Sequence, residues 1–203
     1  MIICNKVTTG YSRAKPLLKD FDAQFDNKIY GILGQSGCGK TTLLRTIAGL
    51  TKPLFGEVLI NNKKVDKPYK NDVFMMHQNY TSFDWKTCLG NVLVAQDIKG
   101  NITEKDIEMA KEMLDKVHLL EHMDKYPKQL SGGMRQRLAL ARTLFMKPKI
   151  LLMDEPLSAL DNATRVDMQN LIMNMHNEIN NTIIMVTHSQ EEATRMCDEI
   201  ITL

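Results

Sequence analysis

Along this chain, apolar runs of strand length alternate with longer stretches of helical period. "KIYGILG" precedes "KTTLLRTIAGL", "KILLMDE" precedes "DNATRVDMQNLIMNMHNEI", and "TIIMVTH" precedes "SQEEATRMC". Repetition of strand then helix predicts a mainly parallel sheet wrapped by helices. The first third differs. "MIICNKVTTGY", "LLKDFDAQF", "GEVLINNKKV" and "DVFMMH" read as several short strands with turns at Asn27, Gly56 and "NNK", which predicts an antiparallel layer beside the parallel core. From Gln78 to about Lys147 the strand signal gives way to helical patterns in "CLGNVLVAQDI", "TEKDIEMAKEMLDKVHLL" and "GGMRQRLALAR". The expectation is one α/β domain over residues 1–203 with a helical subdomain, 79–147, inserted within it.

Composition changes this picture little. At 203 residues and 43% hydrophobic, the chain can fill a real core. Its formal charge of +2 is spread without a long basic block, so no nucleic-acid partner is implied. Cys4, Cys38, Cys88 and Cys197 are too far apart in sequence for a zinc knuckle or a redox pair, so free thiols in a reducing cytosol are expected. No segment approaches the ~20 apolar residues that span a bilayer, and the N-terminus lacks the pattern of a secretory signal.

The chemistry begins at "GQSGCGKT", residues 34–41, which fits G-x-x-x-x-G-K-[ST] and lies between the strand "YGIL" and a helix. Glycines at this spacing let successive backbone N–H groups curl around phosphate oxygens. Lys40 then reaches the β and γ phosphates, and the Thr41 hydroxyl can ligate Mg²⁺. Gly34, Gln35, Ser36, Gly37, Cys38, Gly39, Lys40, Thr41 and Thr42 are therefore the expected triphosphate contacts. In "ILLMDEP", Asp154 and Glu155 end an apolar strand at the edge where open parallel sheets collect ligands. Asp154 suits the Mg²⁺ shell, and Glu155 is placed to take a proton from an attacking water. His188 ends "TIIMVTH" at the same edge, and Gln78 is a polar candidate for the metal or the water.

One feature exceeds what a single phosphate site needs. "KQLSGGMRQRLALAR" is itself a helix start, with Ser131 able to cap and Gly132 and Gly133 permitting close approach, and such starts bind anions. A second glycine-backed helix end calls for a reason.

Together these motifs resemble the ATPase subunit of ABC transporters over essentially the whole chain. "LSGGMRQR" is similar to that family's signature sequence, "SALD" at 158–161 to its D-loop, Gln78 to its Q-loop and His188 to its switch histidine. Tyr11 is similar to the family's aromatic residue that stacks on adenine. The resemblance implies ATP and Mg²⁺ as ligands and a head-to-tail dimer, either of two copies or with a paralogous ATPase. In that dimer Ser131, Gly132, Gly133 and Asp161 of one chain meet the nucleotide on the other. It also implies transmembrane permease subunits, an extracytoplasmic solute-binding protein, and a peripheral place on the cytoplasmic face of the membrane.

"QNYTSFDWKTCLGNV" is the stretch expected in the groove that meets the permease, with a core anchor as the other reading of Trp85. This stretch and the signature helix are most similar to importers of nitrate, sulfonates or taurine, although Asp84 stands where that group usually has proline. Many members of that family continue beyond the position of Leu203, so the expectation here is a chain without a C-terminal regulatory region. Alternatives are an exporter subunit, which shares every nucleotide motif, and a soluble ABC ATPase, whose coiled-coil insert or second fused domain is not seen. A non-hydrolysing module is disfavoured by Glu155 and His188.

Overall fold

In the computed structural model, residues 1–68, 72–77 and 82–203 are described, so Gln78 lies outside the described residues. The chain divides into two compact units. The first comprises Met1–Met75, Pro148–Glu155 and His176–Leu203, and the second Met76–Lys147 and Pro156–Met175. No helix among the described residues is long and apolar enough to cross a membrane.

The first unit carries two sheets. β1 (Ile2–Ser12), β2 (Lys15–Phe25), β4 (Phe55–Ile60) and β5 (Lys63–Lys64) form an antiparallel layer in the order β2-β1-β4-β5. β3 (Ile29–Leu33), β6 (Val73–Met76), β7 (Ile150–Asp154), β8 (Thr182–Val186) and β9 (Glu199–Thr202) form the second sheet, in the order β6-β7-β8-β3-β9. Its β7–β8, β8–β3 and β3–β9 pairs are parallel. Every residue of β3, β7 and β8 is buried, which is why these strands read as unbroken apolar runs rather than as alternating patterns. Helix α1 (Lys40–Ile47) follows β3 and buries Leu43, Leu44 and Ile47 in a core with Ile2, Phe25, Ile60 and Leu152. Full burial of each such side chain contributes about 1.5–3 kcal/mol, enough to fix the helix start that the site needs.

The antiparallel layer departs from expectation in three places. β6, from "DVFMMH", lies not in this layer but at the edge of the second sheet, next to β7. β1 and β2 are long, 11 residues each, rather than short, and bulges interrupt their register. Gly56 is not a turn but lies inside β4, at φ +74, where an added Cβ would come within 2.1 Å of the Lys6 carbonyl oxygen. The glycine lets β4 pass the irregularity in β1, where Lys6 itself adopts φ 45. "NNK" does form a turn. Asn61 and Asn62 both take positive φ in the two-residue loop of the β4–β5 hairpin, as its twist requires.

The second unit is helical. α2 (Cys88–Val92) and α3 (Val94–Ile98) break at Leu93 what the sequence pattern presents as one helix. α4 (Glu104–Lys116) starts from a reciprocal box in which Thr103 Oγ1 accepts from the Asp106 N–H while the Thr103 N–H donates to Asp106. α5 (Gly132–Phe145) buries Leu138, Leu140 and Leu144 and packs with α2 and α4. α6 (Asn162–Ile179) is capped by Asp161, which accepts from the Thr164 N–H at 3.0 Å, and its later turns extend into the first unit. α7 (Gln190–Met196) completes the first unit's helices.

Candidate nucleotide site

β3 delivers the chain into residues 34–39 at the carboxyl edge of the parallel sheet, and α1 leaves from it. Gly37 and Gly39 take φ +83 and +104, a region that a residue bearing Cβ enters only with strain, so both glycines are required by the curl itself. Gly34 is needed for space, because an added Cβ would lie 2.9 Å from the Cys38 Sγ and 3.0 Å from the Leu203 carbonyl oxygen. Lys40 is only 6% exposed, and its Nζ donates to the carbonyl oxygens of Gly34 at 2.8 Å and Gln35 at 2.9 Å. Its charge is thereby held over the loop. No acidic residue lies in the first turn of α1, leaving the positive helix end uncompensated.

Two strands from β3, across β8, β7 ends in Asp154, which is 3% exposed. Glu155 follows at φ 50, a left-handed conformation that costs a non-glycine residue about 1 kcal/mol or more and clusters at functional sites. Its backbone is pinned there by donation from its N–H to the Val186 carbonyl at 2.9 Å. The turn aims the Glu155 carboxylate at His188, just past β8, with Oε1 and Nε2 2.7 Å apart; the side chains are 18% and 47% exposed. Nothing in the sequence announces this backbone strain.

Thr41 is exposed at the second position of α1, and Thr42 is half-buried. Among the described residues no group of three or more His, Cys, Asp and Glu could hold a metal. One threonine hydroxyl and one buried aspartate nonetheless suit Mg²⁺, which usually binds through one or two protein oxygens and completes its shell with phosphate and water. Gln35, Ser36 and Gly37 are exposed on the loop's outer side, Cys38 is half-buried, and Tyr11 is 91% exposed near the end of β1.

The remaining predicted residues belong to the second unit. Ser131 caps α5, its Oγ accepting from the Met134 N–H at 3.3 Å, and it is exposed together with Gly132. A Cβ on Gly132 would meet nothing within 4 Å, whereas one on Gly133 would meet the Ala159 carbonyl oxygen at 3.2 Å. Asp161 has a capping task. Hydrogen bonds from Thr164 hold its carboxyl below the usual carboxylate range.

Two residues that sequence reasoning missed organise this unit. Gln136 is fully buried and accepts from the Ala159 N–H at 2.9 Å, tying α5 to residues 158–161. Asn91, also fully buried, donates to the Phe83, Lys86 and Thr87 carbonyls and accepts from the Phe83 N–H. Trp85, on the loop that Asn91 braces, is 72% exposed and stacks edge-on against Phe83, so it is no core anchor.

A glycine curl closed by a buried lysine, beside a strained acid and its histidine at adjacent strand ends, defines a phosphate-loop ATPase of the α/β class. The sequence pattern of the ABC transporter family matches residues 19–158, and the chain belongs to that family.

The chain is 44% identical over 179 residues to an uncharacterized ABC transporter ATP-binding protein of Methanocaldococcus jannaschii, covering 88% of this chain and 67% of that protein. It is 36% identical over 180 residues to the nitrate transport protein NasD of Klebsiella oxytoca, covering 87% and 68%. Further relatives are named for import of sulfate and thiosulfate, aliphatic sulfonates, methionine, and spermidine and putrescine. The chain spans about two thirds of the first relatives' length and as little as 51% of another's. Its fold matches a dimeric ATP-binding cassette, MJ0796, in a post-hydrolysis state bound to ADP and Pi. The TM-score is 0.90 at 31% identity, with 100% of this chain and 94% of that one covered. The activity of the site is ATP hydrolysis.

Proposed function

We propose that the chain is the energy subunit of an ABC importer for a small anion such as nitrate, a sulfonate or taurine. The names of the nitrate and sulfonate relatives support the anion, although methionine and polyamine importers stand at similar identity. In this reading residues 1–203 form one nucleotide-binding domain with its helical subdomain at 79–147, peripheral on the cytoplasmic face of a membrane. Permease subunits meet the loop around Trp85, and a solute-binding protein delivers the cargo. Tyr11 stacks on adenine, and residues 34–42 cradle the triphosphate. Thr41, Asp154 and Gln78 would hold Mg²⁺, which would supply positive charge to partly neutralise the triphosphate.

Hydrolysis moves one proton and one phosphoryl group. Glu155 accepts a proton from a water whose oxygen attacks the γ-phosphorus, and the bond from that phosphorus to the bridging oxygen breaks, leaving ADP and phosphate. His188 steadies Glu155 and faces the γ-phosphate. Two copies pair head to tail, so that Ser131, Gly132, Gly133 and Asp161 of each complete the site of the other, as the dimeric form of the structural relative supports.

The observation that carries this reading is the 2.7 Å approach of Glu155 to His188, held by a strained backbone beside the phosphate loop. Its test is Glu155→Gln. Turnover is expected to fall by roughly 10²–10⁴, about 3–5 kcal/mol of barrier, while ATP drives the variant into a dimer that persists on size-exclusion chromatography. Wild-type turnover with no dimer accumulation would remove Glu155 from its role.

A further inference from the structure

His188 is exposed and stands on a short connection between β8 and α7, a poor place to hold an imidazole still. The residues on either side of it are nevertheless locked. Ser189 caps α7, its Oγ accepting from the Glu192 N–H at 3.1 Å, which is half of a capping box. In the usual box the acid three residues on would accept from the cap residue's own N–H. Here a hydroxyl is interposed. The Ser189 N–H donates to Thr187 Oγ1 at 3.1 Å, and that hydroxyl gives its single proton to Glu192 Oε2 in a short hydrogen bond. Thr187 and Glu192 are both buried, and the Thr187 N–H is further tied to the Ile32 carbonyl in β3.

The ring of bonds therefore closes around His188, engaging the backbone or side chain of residues 187, 189 and 192 but leaving the imidazole itself outside. Burying a carboxylate costs several kcal/mol unless it is well bonded, so a solvated box would cap α7 more cheaply. What the buried arrangement adds is a fixed position for the residue between its two anchors.

We propose that Glu192, acting through the Thr187 hydroxyl, is the positioning residue that holds His188 against Glu155. The kinetic arm of the test rests on the role given above to the Glu155–His188 pair; the spectroscopic arm does not. Thr187→Val removes the interposed hydroxyl at nearly constant shape, and Thr187→Ser restores it. Side-chain ¹⁵N spectra of the histidines in the nucleotide-free chain, with His188 assigned from a His188→Ala variant, read the imidazole directly.

In Thr187→Val the His188 signals are expected to move toward those seen in Glu155→Ala, where its neighbour is missing. Thr187→Ser and Glu192→Gln, whose amide oxygen still accepts, keep the wild-type signals. In the same series Thr187→Val lowers kcat about tenfold and leaves the KM for ATP within about twofold, with Thr187→Ser near wild type. Unchanged His188 signals in Thr187→Val would overturn the proposal. Moved signals at full kcat would uphold the positioning and instead remove His188 from hydrolysis.

Discussion

At the start of α1 the helix is preceded by Gly39 at φ +104 with no side-chain cap, whereas at the start of α5 the Ser131 hydroxyl closes the first turn. Neither start has an acidic residue in its first turn, so each presents an uncompensated positive end to an anion. They differ in what surrounds them. α1 draws a buried lysine over its own loop, and its glycines are spent on a curl that no other residue could follow. α5 lies behind an exposed serine and an exposed glycine with open space beside it. One start is furnished to bind a phosphate by itself, and the other offers only a surface. The proposed function gives a reason for the chain to carry two: in it, the second start serves a nucleotide held by another copy.

The widest separation of the two should come from removing the charge at one and the hydroxyl at the other. Lys40→Ala is expected to weaken ATP binding to the isolated chain about 100-fold, near 3 kcal/mol, the upper end for a charge-assisted hydrogen bond. Ser131→Ala should leave that affinity within about twofold and lower turnover instead, since in the proposed dimer the hydroxyl, besides capping its own helix, meets only the nucleotide of the other copy. Calorimetric titration of ATP into both variants decides the matter. An equal loss of affinity in the two would place both helix ends in one chain's site.

How these starts announced themselves in sequence follows from their physics. The curl at 34–39 was legible because a chain that wraps a phosphate needs glycine at fixed intervals, and β3, β7 and β8 were legible because full burial leaves no polar position to interrupt them. Long-range fits left no such trace. Gly56 looks like any turn glycine until β1 is seen passing beneath it, and the break at Leu93 is invisible in an apolar period that continues through it. Glu155 could be chosen by its place after a strand, but its φ of 50 depends on the neighbouring β8 that pins it. Gln136 and Asn91 are buried amides whose partners lie in other segments, and periodicity alone marks such residues only as exceptions. Ser131 was picked out as the cap of a glycine-backed helix start and Tyr11 through family resemblance, and their exposure fits surfaces meant for something outside the chain.

The two glycines of α5 allow a finer cut within one helix start. Gly133→Ala would press a methyl to 3.2 Å from the Ala159 carbonyl and displace the loop that Gln136 holds. Gly132→Ala meets nothing within 4 Å among the described residues and should raise stability by up to about 1 kcal/mol through helix propensity alone. If the open side of Gly132 is where a second copy's nucleotide approaches, the same change lowers turnover about tenfold while thermal stability holds or rises. Gly133→Ala is expected to lower both. Full turnover in Gly132→Ala would mean that nothing approaches that face.

The smallest signal, and the one most specific to pairing, uses the thiol that only the α1 side possesses. Cys38 lies half-buried in the loop with its Sγ 3.9 Å from the Lys40 Nζ. Burial pushes the Cys4 and Cys197 thiols up to about 12 and that of Cys88 to about 11, so an alkylating reagent at neutral pH should find Cys38 first. Mass spectrometry should show one adduct, slowed by bound ATP, with ATPase activity lost. A blocked chain still owns an intact α5 start, and a Ser131→Ala chain still owns an intact loop. An equimolar mixture of the two should therefore contain, in half of its dimers, one complete site, and recover up to about a quarter of wild-type activity. A mixture as inactive as its parts would show that the two helix starts must come from a single polypeptide, and the asymmetry between them would then need another cause.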